Sequence, residues 1–395
     1  MRFILTVIAV MFALDGICWA VLARLANRTP WRGLIALFMS VQLLGLAWLI
    51  FGRLSHGGWD RWLPKFAITS VFIWHCLGLP LVLLVTLAIL PLLLVKAAVA
   101  LIARRRPSEP TPLDDQPAWS RRQFVGFAAA TVPPLFTLSL ATIAMHQLNH
   151  FRVRRFVLPI RNLPPDLNGM TIAQVSDIHV GRFTSGPVLR EMVNVVNQLR
   201  ADLVLLTGDL INDALADLDH GLELARSMDG LVYLIEGNHD LIENGEMFER
   251  RVKASGIPFL LDESAVVSVR GSPIQLLGLS WTRAREKRDE AIANSVRQLL
   301  RQRQPDAFPI LLAHHPHAFD AAAEASMPLT LSGHTHGGQL MLNERCGFGP
   351  ALFRYWSGLY TRGESKLIVS NGVCNWFPLR ARAPAEIVHL TLVRL

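Results

Sequence analysis

Four stretches within the first 150 residues are too long and too apolar to be buried helices of a soluble domain. Residues 3–23 and 33–52 each approach the roughly 20 apolar residues that carry a helix across a bilayer, and 66–102 exceeds that length. Residues 124–145 are apolar apart from Ser and Thr. Lipid offers backbone amides no water, so segments of this kind are confined to helix. Pro80 and Pro91 interrupt the third stretch, which reads either as one long kinked helix or as a span with a re-entrant turn; Pro133 and Pro134 interrupt the fourth. The expectation is a multi-span α-helical membrane region over 1–150, with about four transmembrane helices, and a separate domain over 151–395.

Charge divides at the same place. Residues 1–150 hold thirteen Lys and Arg against five Asp and Glu, whereas 151–395 hold 26 of each, so the whole net charge of +8 lies in the first part. A nucleic-acid partner needs cations on the domain that binds it, and a neutral second domain disfavours one. The Arg residues instead flank apolar segments. Arg104, Arg105, Arg106, Arg121 and Arg122 form the densest basic run, which the positive-inside rule places in the cytoplasm. The segment from 124 then runs outward and carries the second domain to the extracytoplasmic side of a bacterial inner membrane. Ser120-Arg121-Arg122-Gln123-Phe124-Val125, ahead of an Ala-rich apolar stretch, also has the form of an internal twin-arginine export signal and gives the same side. Trp19, Trp31, Trp48, Trp59, Trp62, Trp74 and Trp119 fall in the membrane region, as an interfacial belt requires. Asp15 reads as an acid reaching headgroups or a neighbouring helix. Spacing alone leaves the pairing of Cys346 with Cys374 open.

From 151 onward, short apolar runs alternate with amphipathic stretches. Residues 171–176, 203–207, 231–235, 275–279, 310–313 and 329–332 read as buried strands, and 187–200, 217–228, 245–255 and 286–303 as helices. That alternation implies an α/β sandwich. Strands near 338–342, 366–371 and 386–393 are expected to add a second sheet, and the Pro-rich 107–117 is the one linker-like stretch.

Five short segments end these strands: Asp177-Ile178-His179, Gly208-Asp209, Gly237-Asn238-His239-Asp240, His314-His315-Pro316 and Gly333-His334-Thr335-His336. Strand C-terminal ends are where ligands gather in open α/β sheets. A single Gly-Asp or Asp-x-His after a strand is most often a cap or turn. Five in order, all of metal-ligand type, point to a metal centre. Two divalent ions about 3.5–4 Å apart need several carboxylate, imidazole and amide ligands, one carboxylate being able to bridge.

This order of motifs resembles the calcineurin-like metallophosphoesterase superfamily, over about 155–395. The run from Gly333 to Leu340, with Gly347-Phe348-Gly349-Pro350 and Pro378-Leu379-Arg380, is similar to a membrane-associated bacterial branch, although Ala385 separates Pro384 from Glu386 where the branch has Pro-Glu. The resemblance implies two mixed sheets flanked by helices and two divalent metal ions, Mn, Fe or Zn. It assigns Asp177, His179, Asp209 and His336 to one ion and Asp209, Asn238, His314 and His334 to the other, with Asp209 bridging. His239 would donate to the phosphoryl or leaving oxygen and Asp240 would orient it.

His315 and His317 read as surface residues at a helix N-terminus, with a place behind the ligands or against the substrate as the alternative. Phe348, Phe353, Tyr355, Trp356, Tyr360, Trp376 and Phe377, interleaved with Arg345, Arg354, Arg362, Arg380 and Arg382, read either as a rim for headgroups or an amphipathic phosphate, or as core packing. The expected function is a membrane-anchored binuclear phosphoesterase that hydrolyses a phosphodiester or pyrophosphate by metal-activated hydroxide attack, its partners a phosphate-ester substrate, free or lipid-linked, and membrane lipids. Two alternatives stay open: a nucleotide-linked lipid pyrophosphatase of a lipid-A type pathway, and a catalytically silent membrane-tethered metal-binding module, against which the intact His239 counts.

Overall fold

Among the described residues, four helices are long and apolar enough to cross a membrane, with spans at Ile8–Leu25, Thr29–Gly52, Lys65–Leu92 and Arg121–Gln147. The computed structural model describes residues 2–26, 28–54, 62–102, 120–184, 186–284, 286–343 and 345–395. Arg104, Arg105, Arg106, the 107–117 linker, Trp59 and Trp119 lie outside the described residues. The chain divides into two units, Met1–Met145 and His146–Leu395.

In the first unit, 65–102 is one helical run rather than a re-entrant turn: Lys65–Ile73, a π-helical turn Trp74–Gly78, then Leu79–Ile102 with Pro91 inside it. Proline has no amide to donate, and the helix widens just before Pro80. Trp74 is therefore not an interfacial residue; it is fully buried, edge-on to Phe38, and its indole donates to Asp15 Oδ1 at 3.0 Å. Asp15 does reach a neighbouring helix. Its Oδ2 lies 3.0 Å from His75 Nε2, while His75 Nδ1 donates to the Val71 carbonyl at 2.7 Å. Since Nδ1 must carry a proton, the second contact requires another, shared between imidazole and carboxyl. Removing one partner of such a pair strands the other. Asp15→Leu or His75→Leu alone is expected to cost about 3 kcal/mol, and the double variant appreciably less; thermal unfolding in detergent that shows the double variant worse than both singles would refute the pairing.

The second unit contains a five-stranded and a six-stranded sheet. The first runs Arg152–Ile160, Glu386–Arg394, Thr171–Val175, Leu203–Thr207, Leu231–Ile235 in spatial order, with Glu386–Arg394 antiparallel to Thr171–Val175 and the other neighbours parallel. The second runs Gly358–Arg362, Ser365–Val369, Leu329–Ser332, Phe308–Ala313, Ser272–Leu279, Glu263–Val269, parallel at its centre and antiparallel at both edges. Alternation along the strands sorts the side chains. Leu203, Leu205, Ile310 and Leu312 meet between the sheets. Val204 and Leu206 face the helices Pro187–Leu199 and Leu218–Arg226, and Leu311 and Ala313 face Arg288–Leu299 and Ala318–Glu324. The result is a four-layer helix–sheet–sheet–helix sandwich.

Of the three terminal strands, only Ser365–Val369 joins the second sheet. Met341–Asn343 pairs with Cys346–Gly347, and Glu386–Arg394 lies in the first sheet, where buried Glu386 takes Arg152 at 2.8 Å and Arg154 at 3.3 Å. Cys346 is exposed, Cys374 is buried, and both are free.

Candidate metal centre

Five of the seven ligand-type residues leave their strands through a backbone turn that few residues adopt. Asp177, His179, Asp209, His334 and His336 all have φ between 48° and 73°. Left-handed conformations of non-glycine residues are held only where the surroundings enforce them, and they collect at functional sites. Here the loops enforce each other: Asp177 N donates to the Gly208 carbonyl and His179 N to the Asp209 carbonyl, both at 3.0 Å, and Gly333 N donates to the His314 carbonyl at 3.1 Å. Side-chain space is also fixed. A Cβ on Gly237 would overlap the Asp209 carboxylate, and one on Gly333 would overlap Ser176 and Asp177.

The candidate ligands converge. Donor atoms of Asp177, His179 and His336 lie within 4.8 Å of one another, as do those of His179, Asp209 and His239 and those of Asp209, His314 and His334. Asp209 Oδ2 is 3.1 Å from His314 Nε2 and 3.6 Å from His179 Nε2, so one carboxylate oxygen faces both sides of the cluster. Asp177 Oδ1 lies 3.3 Å from His336 Nε2. His179 Nε2 and His336 Nε2 are 3.0 Å apart. Asn238 Oδ1 is buried without a hydrogen-bond partner. A buried acceptor left unpaired beside two carboxylates is costly unless a cation takes it, and this oxygen and imidazole set suits a divalent metal.

The electrostatics agree. Burial, reinforced by neighbouring imidazoles and, for His336, by Arg380, holds His179, His334 and His336 well below the ordinary histidine range. They are neutral, the state that ligates metal. Burial lifts Asp177 to about 6. Burial would raise Asp209 too, but His314 overrides it and keeps that carboxylate ionised. Burial would lower His314, yet Asp209 beside it lifts the ring to about 10: a proton stands where a cation is wanted.

Two expected roles change. Asp240 does not orient His239. Its two oxygens accept from Ile211 N at 3.0 Å and Gly237 N at 2.9 Å, while His239 Nδ1 donates to the Asn212 carbonyl at 2.6 Å. The turn His239–Leu241 sends the adjacent side chains to different partners. His315 is not a surface residue: it is buried, its ring 5.0 Å from His334 and 5.6 Å from Trp281, and burial lowers it to about 3. His317 does precede a helix, Ala318–Glu324, and its Nδ1 meets Asp289 at 2.9 Å.

The aromatic and Arg-rich segment splits. Tyr355 donates its hydroxyl to Asp320 at 2.7 Å, and the Tyr360 oxygen accepts from Trp356 N at 3.0 Å; these rings pack together near Phe319. Phe377 is buried, whereas Phe348, Leu352 and Trp376 are exposed. Arg380 belongs to no rim. It is buried, donates to the carbonyls of Asn371 at 2.7 Å and Ala383 at 3.2 Å, and reaches His336 Nδ1 at 2.9 Å. Because guanidinium only donates, His336 Nδ1 accepts in this contact, and the neutral ring then carries its proton on Nε2, which faces Asp177 Oδ1 at 3.3 Å; ligation through Nε2 requires that proton to leave. Sequence reasoning also missed Trp281, 4.9 Å from the His334 ring, and Glu236, which accepts from Trp281 N at 2.9 Å and is pushed up to about 7 by burial.

Paired carboxylates among neutral imidazoles, set at strand ends of a four-layer sandwich, form a candidate divalent-metal centre. A model of the calcineurin-like phosphoesterase family matches residues 170–338. The second unit is thus similar to calcineurin-like metallophosphoesterases, and similar proteins occur in bacteria and among transmembrane proteins. A transmembrane protein with metallophosphoesterase domain from Danio rerio is 29% identical over 245 residues, 60% of this chain and 56% of the relative. A metallophosphoesterase of Helicobacter pylori strain J99 is 31% identical over 235 residues, 57% of this chain and 60% of the relative. Phosphodiesterase YaeI of Escherichia coli K12 is 27% identical over 236 residues, 55% of this chain and 80% of the relative. The chain spans little more than half the length of the first two.

Proposed function

We propose that the chain is a membrane-anchored, binuclear metal-dependent phosphoesterase that hydrolyses a phosphodiester or pyrophosphate. The observation that carries this reading is the position of Asp209 Oδ2, facing His314 on one side and His179 on the other. Asp177, His179, Asp209 and His336 hold one ion, and Asp209, Asn238, His314 and His334 the other. Bound divalent ions supply the positive charge that acidifies water and offsets charge on the phosphoryl oxygens. The protein's own groups do the rest. Asp209 and the imidazoles fix the ligand geometry, and the Asn212 carbonyl accepts from His239 Nδ1, so that Nε2 donates to the leaving oxygen when the ring is protonated. Asp240 acts on backbone rather than on substrate.

The four apolar helices support a multi-pass anchor over 1–150, and the Arg run between 104 and 122 supports a bacterial inner-membrane orientation with the domain over 151–395 outside the cytoplasm. Exposed Leu342, Phe348 and Leu352 support contact with lipid or with a lipid-linked substrate. Manganese-, iron- or zinc-loaded protein is expected to cleave a chromogenic phosphodiester or a nucleotide-diphospho-lipid, faster than a chromogenic monoester, and to stop on chelation. Turnover of none of the three with any metal would overturn the reading. At the C-terminal end, a reporter active only after export is expected to be active and a cytoplasm-only reporter dark; the reverse pattern overturns the orientation.

A further inference from the structure

A cleft of about 290 Å³ opens beside Asn238, lined by Leu241, Gly245, Trp281, Thr282, Arg283 and Arg288. Its two cations are not equivalent. Arg283 is neutralised by Glu249, 2.6 Å away. Arg288 has no carboxylate within 4.0 Å among the described residues. The acids next to it in sequence are committed elsewhere: Asp289 to His317 and Arg354, each at 2.9 Å, and Glu290 to Lys287 at 3.5 Å. The Arg288 guanidinium instead lies over the Trp281 ring at 5.7 Å, and that ring stands 4.9 Å from His334. Arg288 also opens the helix Arg288–Leu299, where the macrodipole disfavours a cation. Helix stability is therefore a poor reason for its charge.

We propose that Arg288, braced on Trp281, binds a second anionic group next to the scissile phosphate, so that the site selects pyrophosphate diesters over isolated phosphodiesters. This rests on the phosphoesterase reading above and narrows its substrate class. Hydrolysis adds one water across the P–O–P link and releases two phosphate monoesters. The Arg288 guanidinium holds the phosphate that is not attacked, through charge-assisted hydrogen bonds. Trp281 offers a flat face to the group carried by that phosphate.

The test uses full-length, manganese-loaded protein in detergent and two probes: dimethyl phosphate, with one anionic centre, and P1,P2-dimethyl pyrophosphate, with two. By calorimetry, Arg288→Met is expected to weaken the pyrophosphate at least about tenfold and dimethyl phosphate less than about threefold, with Arg288→Lys between. Arg297→Met, on the same helix but paired with Glu324, is the control expected to change neither. In turnover, the ratio of kcat/KM for the pyrophosphate to that for bis-p-nitrophenyl phosphate falls in parallel. Equal loss on both probes, or no loss, overturns the proposal. Wild-type protein that shows the Arg288-dependent binding preference yet hydrolyses neither compound upholds the anion site and removes the hydrolase reading alone.

Discussion

Asp209→Asn is expected to take bound divalent metal from about two per chain to below one and to lower turnover by at least about a thousandfold. The amide keeps the shape of the carboxylate but loses the charge and the second strong acceptor at the one oxygen that faces both His314 and His179. Its other oxygen, which accepts from His239 N at 2.8 Å, remains an acceptor in the amide, so the loop 237–240 should hold. His239→Ala is the informative comparison, because His239 also lies within ligand range of His179 and Asp209. If it donates to the leaving oxygen, its loss costs about a hundredfold in turnover and leaves metal content intact. Elemental analysis of both variants decides the matter: a His239→Ala protein that has lost a metal as readily as Asp209→Asn would make His239 a ligand.

Arg380→Met should be the most destabilising single substitution in the second unit, at about 4–5 kcal/mol, or roughly 10 °C in Tm for a domain of this size. The guanidinium is buried and is the donor for the carbonyls of Asn371, Cys374 and Ala383 and for Asn375 Oδ1. Methionine fills much of the volume and leaves those acceptors without a donor. Burial lowers Arg380 only to about 10, so it is charged through the neutral range and the loss is the same at pH 6 and pH 8. Thermal unfolding of the detergent-solubilised chain at the two pH values tests this. A shift under about 3 °C would mean that water replaces the guanidinium, and that His336 is positioned by other contacts.

What was legible in the sequence was local. Runs such as 203–207 and 310–313 are continuous apolar segments that only a doubly covered strand explains, and the ligand residues follow them at once. The centre was readable because it is assembled from strand ends, each carrying its own motif. Three things were not readable for a common reason: their partners lie far away in sequence. Arg380 has surface character as a residue type, and only the carbonyls of the loop around it make it internal. Asp240 sits next to His239, yet adjacency in a tight turn separates side chains. Trp74 has the composition of an interfacial residue, but Asp15, on another helix, takes its indole. The strand Arg152–Ile160 escaped because its Arg residues, two of them answering Glu386, break the apolar alternation.

The placement of Glu386–Arg394 has a consequence for how this protein is made. Arg154 pairs with Val388, and Gln174 pairs with the same residue from the other side, so two strands that leave the ribosome early are joined only through one that leaves much later. Throughout that interval both expose edges with unmet amides, open to wrong partners. Asp177 hangs from Thr171–Val175, on the sheet that closes late. During synthesis the first sheet cannot close until residue 394 has emerged, and in that window the chain depends on whatever shields an unfinished β-sheet.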